Sequence, residues 1–149
     1  MTIFLTMIEL YMKVSNPVVF VDTSFFKAVI DVDDDFHQEA VFILNKLKDE
    51  TTELVTTNFI IDESLTLIRV RLNLETAIEL KNFIETGLDF LKIMRVTVED
   101  ELHAWKYFLK PWKGLSFTDC TSFALMKRLG LTRVATFDGH FRQAGFTIE

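Results

Sequence analysis

Cysteine occurs once, as Cys120, so no disulfide can form within the chain, which fits a reducing compartment. Glycine and proline are scarce at 5 and 2 of 149 residues, which argues against long linkers, and neither low-complexity segments nor repeats are visible. Basic side chains number 16 against 22 acidic ones. The resulting net charge of −6 is unlike that of a protein holding nucleic acid on a broad basic face. The apolar N-terminal stretch "MTIFLTMIELYMKVSN" has no basic residue before its apolar run and contains Glu9. It is a poor signal peptide and too short for a membrane span. The expectation is a soluble, cytoplasmic protein without membrane contact. Met1 to Tyr11 read as an N-terminal extension, either an added strand or helix or residues upstream of a start at Met12. Residues 12–149 then form a single domain, and 49% hydrophobic residues can fill its core.

"VVFV" at Val18 to Val21 reads as a strand buried on both faces. The acidic run Asp31 to Asp35 reads as a solvated turn, with Asp35 capping a helix that starts at Phe36. Leu54 to Thr56 is a short strand, and "TNFIIDESLTLIRVRL" a helix capped by Thr57 or Asn58. Asn73 caps a helix through Thr86 that stops at Gly87. "LDFLKIMRV" is a third strand, "RVATF" a fourth and "GFTIE" a fifth. Thr97 with Asp100, and Ser116 with Asp119, are capping boxes opening two helices; Pro111 ends the first and Gly130 the second. Strands alternating with helices predict an α/β fold wound on a parallel sheet. Ligands of such folds bind beyond the carboxyl ends of the strands.

Four acids belong near that edge. Asp22 follows the first strand, Asp138 follows the fourth, Asp119 lies in a first helical turn, and Glu63 in a second. They are separated by 41, 56 and 19 residues in order. Four carboxylates about 6 Å apart would repel by roughly 3 kcal/mol per pair at an effective dielectric near 20. Six pairs cost on the order of 15 kcal/mol, comparable to the stability of a domain. Protonation or a bound cation must relieve that, and oxygen-only donors suit Mg²⁺ or Mn²⁺. Taken singly, each acid has a plainer role: half of a capping box for Asp119, a turn before Gly139 for Asp138, a solvated helix position for Glu63.

"VVFVDTSFF", "TTNFIIDESLTLIR", "LSFTDCTSFALMKRLG" and "VATFDGHF" resemble, in order and spacing, the acidic blocks of PIN-domain ribonucleases, and most of all the VapC-type toxins of toxin–antitoxin pairs. The resemblance spans Val18 to about Phe146. It implies a PIN-like three-layer α/β/α sandwich with a central parallel sheet of about five strands. It further implies Mg²⁺- or Mn²⁺-dependent hydrolysis of RNA, a homodimer, and an antitoxin partner. The family's metal-site acids map onto Asp22, Glu63, Asp119 and Asp138, with Thr23 and Thr136 at positions where hydroxyls assist. Met1 to Tyr11 depart from the pattern, which starts close to the first strand. Two alternatives share the fold: an RNA-processing nuclease without an antitoxin, and a non-catalytic RNA or protein interaction module. The second normally lacks some of the acids that are all present here. Phosphatase and receiver folds fit poorly, since Ser24 and Val21 stand where each would need an acid.

Discounting four metal-bound carboxylates, the net charge of −6 becomes −2. Arg69, Arg71, Lys106, Lys110 and Lys113 are then candidates for the RNA backbone, with single-stranded or loop RNA favoured by aromatics among lysines. Trp105, with Leu102, Phe108 and Leu109, makes a helical apolar stripe and is expected in the core. Trp112 is the expected exposed aromatic. His37, His103 and His140 show no ligand spacing, and Cys120 lacks a basic partner to activate it.

Overall fold

β1 (Val18–Val21) buries Val19, Phe20 and Val21, because a strand covered by helices on both sides has no solvent face with which to alternate. The computed structural model describes residues 17–87 and 89–149, so the expectations for Met1 to Tyr11 and a start at Met12 lie outside the described residues. β2 (Glu53–Thr57), β3 (Leu91–Met94), β4 (Arg133–Ala135) and β5 (Thr147–Ile148) complete a sheet ordered β3-β2-β1-β4-β5. Every pairing is parallel. Among the described residues the seven helices are α1 (Thr23–Ile30), α2 (His37–Asp49), α3 (Asn58–Arg71), α4 (Leu74–Thr86), α5 (Val98–Phe108), α6 (Phe117–Leu129) and α7 (His140–Gln143). The chain winds outward from β1 to β3, then crosses to β4. Right-handed crossovers therefore put α1 to α4 on one face and α5 and α6 on the other. The packing agrees: α1 lies against α2, α3 and α4, and α5 against α6.

The reversal of winding falls between β1 and β4, where Val21 is in register with Ala135. Asp22 and Thr136 consequently leave the sheet side by side, and the Asp22 amide donates to the Ala135 carbonyl at 3.2 Å. Such a switch point opens a crevice at the carboxyl edge of the sheet.

Both capping boxes form as expected. Thr57 and Asn73 cap α3 and α4 through their side-chain oxygens, and Gly130 ends α6 in the left-handed region at φ 68°. Three readings change. α1 begins directly after β1, with Asp22 as its N-cap accepting from the Ser24 amide, so the strand-tip acid doubles as a helix cap. Asp35 does not cap α2; Phe36 is the N-cap residue, without a side-chain bond. Asp34 Oδ1 already holds the Phe36 amide at 2.9 Å, which satisfies the entry turn. The third and fourth strands are also shorter than expected, pairing only over Leu91–Met94 and Arg133–Ala135.

One ion pair fastens the second helical layer. Arg128 donates to both oxygens of the buried Asp100, at 2.7 and 2.8 Å, tying the last turn of α6 to the first turn of α5. The guanidinium, ahead of the opposing effect of burial, holds the Asp100 carboxyl below its ordinary range. Arg128→Ala leaves that carboxylate buried and unpaired, and is expected to cost about 3 kcal/mol. A lower urea midpoint at unchanged slope is the measurement; an unmoved midpoint would refute the role.

Candidate metal centre

Asp22, Glu63, Asp119 and Asp138 line one open cleft of about 320 Å³ together with Thr23, Ser24, Lys27, Leu67, Gly114 and Ser116. Four elements far apart in sequence thus deliver their acids to the carboxyl edge of the sheet, as the strand-tip argument expects.

Asp22 is 3% exposed. Its Oδ2 accepts from the Ser24 hydroxyl at 2.9 Å, the Ser24 amide at 3.3 Å and the Thr136 hydroxyl at 2.8 Å. These bonds converge on one oxygen and leave Oδ1 for a ligand. The Ser24 and Thr136 hydroxyls are 3.0 Å apart, and they accept the Phe137 and Asp138 amides in turn, each at 2.9 Å. Two hydroxyls thereby lock β4's exit against α1. Thr136 was expected near the site; Ser24 was not, and its only sequence signal is a hydroxyl two residues after the strand-tip acid.

Thr23 donates to Glu63 Oε2 at 2.6 Å and accepts from Ser64 at 3.2 Å. Glu63 is therefore oriented from α1 and flanks the cleft. Asp119 Oδ2 accepts the Ser116 amide at 3.1 Å, so its capping and site positions coincide: the box aims the carboxyl at the crevice. Asp138 Oδ1 accepts the His140 amide at 2.9 Å.

Burial pushes the Asp22 carboxyl up to about 6, outweighing the lowering effect of the Thr136 and Ser24 hydroxyl bonds, while Asp138 adds only a small rise. Burial, then the charges of Asp22 and Asp138, push Asp119 up to about 7. Both carboxyls therefore take up protons at a higher pH than ordinary carboxylates do unless a cation replaces them. Carboxylate oxygens from four elements, oriented by hydroxyl and amide donors, are the donor set of a hard divalent cation. The acidic group fits such an ion.

Several side chains take places the sequence did not indicate. Lys27 is the single basic residue among the described residues lining the cleft; its Nζ lies 2.6 Å from Asp34 and 3.1 Å from Asp31. The acidic run is therefore more than a solvated turn, since two of its members hold that lysine. His140 joins Asp119 and Asp138, with one donor atom from each within 4.8 Å of the others. Cys120 is buried and its thiol is pushed up to about 11, by burial and then by Asp119, which removes it as a nucleophile.

The two tryptophans exchange their expected places. Trp105 is 48% exposed, while Trp112 packs partly buried against the core under Lys110, whose Nζ is 5.6 Å from the ring centre. α5 buries Asp100 and Ala104 and packs Tyr107 on Phe123, a face on nearly the opposite side of the helix from the Trp105 stripe. Ala104 lets α6 approach closely on that side. Val98, Leu102, Trp105 and Leu109 are left as an exposed apolar row. Arg69, Arg71, Lys106, Lys110 and Lys113 are all exposed, and Arg71 follows Glu63 and Leu67 on one face of α3.

Residues 19–147 match the PIN domain. A 23S rRNA-specific endonuclease of Mycobacterium tuberculosis, VapC20, is 30% identical over 129 residues, covering 86% of this chain and 95% of its own. Its crystal structure, titled a sarcin–ricin loop cleaving toxin, aligns with a TM-score of 0.74 over 87% of this chain and 96% of that one. FitAcB of Neisseria gonorrhoeae, at 19% identity, aligns with a TM-score of 0.62 over 87% of this chain and 95% of its own. VapBC2 of Rickettsia felis, at 11% identity, gives 0.63 over 89% and 97%. These last two are similar in fold.

Proposed function

The chain belongs to the PIN-domain family, and from that premise we propose that it is a divalent-metal-dependent endoribonuclease, the toxin of a toxin–antitoxin pair. The observation that carries this reading is the single cleft lined by Asp22, Glu63, Asp119 and Asp138. These four acids would hold Mg²⁺ or Mn²⁺. When bound, the cation supplies an activated water and neutralises charge developing on the phosphodiester. Thr136 and Ser24 fix Asp22 through Oδ2, and Thr23 fixes Glu63, so the acids are set before substrate arrives. The Asp119 carboxyl gives up its proton as the cation enters, which makes loading easier as pH rises.

Lys27, held at the mouth by Asp31 and Asp34, is placed to meet a phosphate next to the one that is cut. Lys27→Gln, measured in an Asp22→Asn background to prevent cutting, is expected to weaken RNA binding about three- to tenfold irrespective of sequence and to lower the salt slope by about one. An unchanged slope would remove Lys27 from the substrate path.

The name of VapC20 makes ribosomal RNA the first substrate to test, and its description as a toxin supports an antitoxin that covers the open cleft. The exposed row on α5 supports a homodimer, since apolar patches of that kind mark protein interfaces. Among the described residues no helix is long and apolar enough to cross a membrane, and the proposed substrate is cytoplasmic. The deciding experiment incubates purified, antitoxin-free protein with 23S rRNA and with a structured RNA pool, in Mn²⁺, Mg²⁺ or EDTA. Defined cuts that require metal support the reading. Intact RNA in both metals, from protein shown to be folded, would overturn it.

A further inference from the structure

Phe36 stands at the N-cap of α2, where serine, threonine or aspartate is usual, and makes no side-chain bond there. A local rule broken in this way commonly marks a functional position. The ring is 47% exposed, which alone is ordinary for an apolar side chain. Its surroundings set it apart. Phe36 stacks on Phe137, with ring centres 4.5 Å apart and planes 11° from parallel. Phe137 in turn lies near-parallel to the buried Phe25, at 6.1 Å and 13°. A pile of rings therefore rises from the core and ends at the surface in Phe36. Phe137 covers one face of that last ring, so its exposure falls on the other face and the edge.

The pile stands on the rim of the acidic cleft. Phe25 follows Ser24 and Phe137 precedes Asp138, and both Ser24 and Asp138 line the cleft. The Asp34 carboxylate ties the ring to the lysine at the mouth: Oδ1 accepts the Phe36 amide at 2.9 Å, and Oδ2 accepts from Lys27 Nζ at 2.6 Å. His37 Nδ1 donates to the Ala28 carbonyl at 2.8 Å, which pins the start of α2 to α1. The platform is thus set before any ligand arrives.

Charge decides what it can take. Asp33 and Asp35 are exposed on either side of Asp34 in the chain, and they repel phosphate from the ring. The part of a ligand that meets Phe36 is therefore neutral and flat, which describes a base of single-stranded RNA and not its backbone. We propose that the outer face of Phe36 is a stacking subsite for one unpaired base of the RNA substrate, beside the phosphate met by Lys27. The inference rests on the nuclease reading and adds to it a contact that selects splayed, single-stranded RNA over duplex.

The probe is a short single-stranded RNA carrying the cut mapped on 23S rRNA or on the pool. Its binding to full-length Asp22→Asn protein in Mg²⁺ is followed by fluorescence anisotropy. Adding Phe36→Ala is expected to weaken binding about 5- to 150-fold, the range for one lost base stack, with the salt slope unchanged. Phe36→Tyr is expected to keep the affinity, whereas Phe36→Leu, apolar but not aromatic, loses it. An abasic nucleotide moved along the RNA should cost the Phe36 protein affinity at one position, and cost Phe36→Ala nothing there. Unchanged affinity in Phe36→Ala overturns the proposal, as does leucine serving as well as tyrosine or a loss spread evenly over the abasic positions. The tyrosine–leucine comparison keeps the test decisive if the alanine variant has a lowered thermal midpoint. Loss of a dimer in Phe36→Ala by sedimentation, with RNA affinity intact, overturns it too and assigns the ring to a protein contact. RNA that is cut but bound independently of Phe36 removes the subsite alone; absence of any cut removes the nuclease reading and the subsite together.

Discussion

Asp22→Asn is expected to lower RNA cleavage by at least ~10³-fold, about 4 kcal/mol of barrier, while the fold persists. Asparagine caps helices as well as aspartate does, so α1 keeps its start. Its carbonyl oxygen can take the place of Oδ2 and accept from Ser24 and Thr136, which now bond Asp22 at 2.9 and 2.8 Å. The amide nitrogen then falls where Oδ1 faces the cleft. Shape is retained, but a neutral donor stands where a cation needs an anionic oxygen. The measurement is single-turnover cleavage of the best RNA substrate in Mn²⁺, beside circular dichroism and thermal midpoints of both proteins. Cutting that survives in a folded variant would take Asp22 out of the metal centre.

The second large effect is on stability. Asp22 and Asp119 are raised to about 6 and about 7 from an unfolded value near 3.8. A carboxyl whose folded pKa is raised favours the fold when protonated. Its contribution is complete below about pH 4 and disappears as pH climbs through 6 and 7. Metal-free protein is therefore expected to lose on the order of 4 kcal/mol between pH 4 and pH 8, less than the separate shifts would suggest because the two groups are coupled. Asp100 acts in the opposite direction: its lowered carboxyl gives stability that is lost in acid, which sets the other limb. Excess Mn²⁺ should restore stability at pH 8 by mass action, and Asp119→Asn should flatten the neutral limb. Urea titrations in EDTA at five pH values decide the matter. A profile flat from pH 5 to 8 would mean that the carboxylates are not strained together.

Removal of the negative charge should thus stabilise the empty protein and disable it at once. That opposition is expected where function requires groups to be held together against their repulsion.

Much of this site could be read before any coordinate. β-branched runs announced β1, β2 and β4, and an acid at a strand tip pointed to the carboxyl edge. Ser116 with Asp119 declared both a helix start and a carboxyl aimed along it. What could not be read was rotation. On α5 the apolar spacing of Leu102, Trp105 and Leu109 identified a face correctly, but periodicity does not say what covers a face. Packing chose the side with Ala104, where α6 can approach, and left the stripe outside. Ser24 and Thr136 are equally illegible as a pair, since their contact spans 112 residues and exists only because Val21 and Ala135 are in register.

The sequence by itself determined the alternation of strands and helices, the caps of α3 to α6, and which four carboxylates reach the open edge of a parallel sheet, because these follow from local propensity and the rule of right-handed crossovers. Tertiary structure alone decided which oxygen of Asp22 stays free, how Lys27 is held, that Trp105 looks outward, and that the His140 ring pairs with Asp138 at 2.7 Å. Those outcomes depend on side-chain orientation across contacts distant in the chain, where neither periodicity nor spacing carries information.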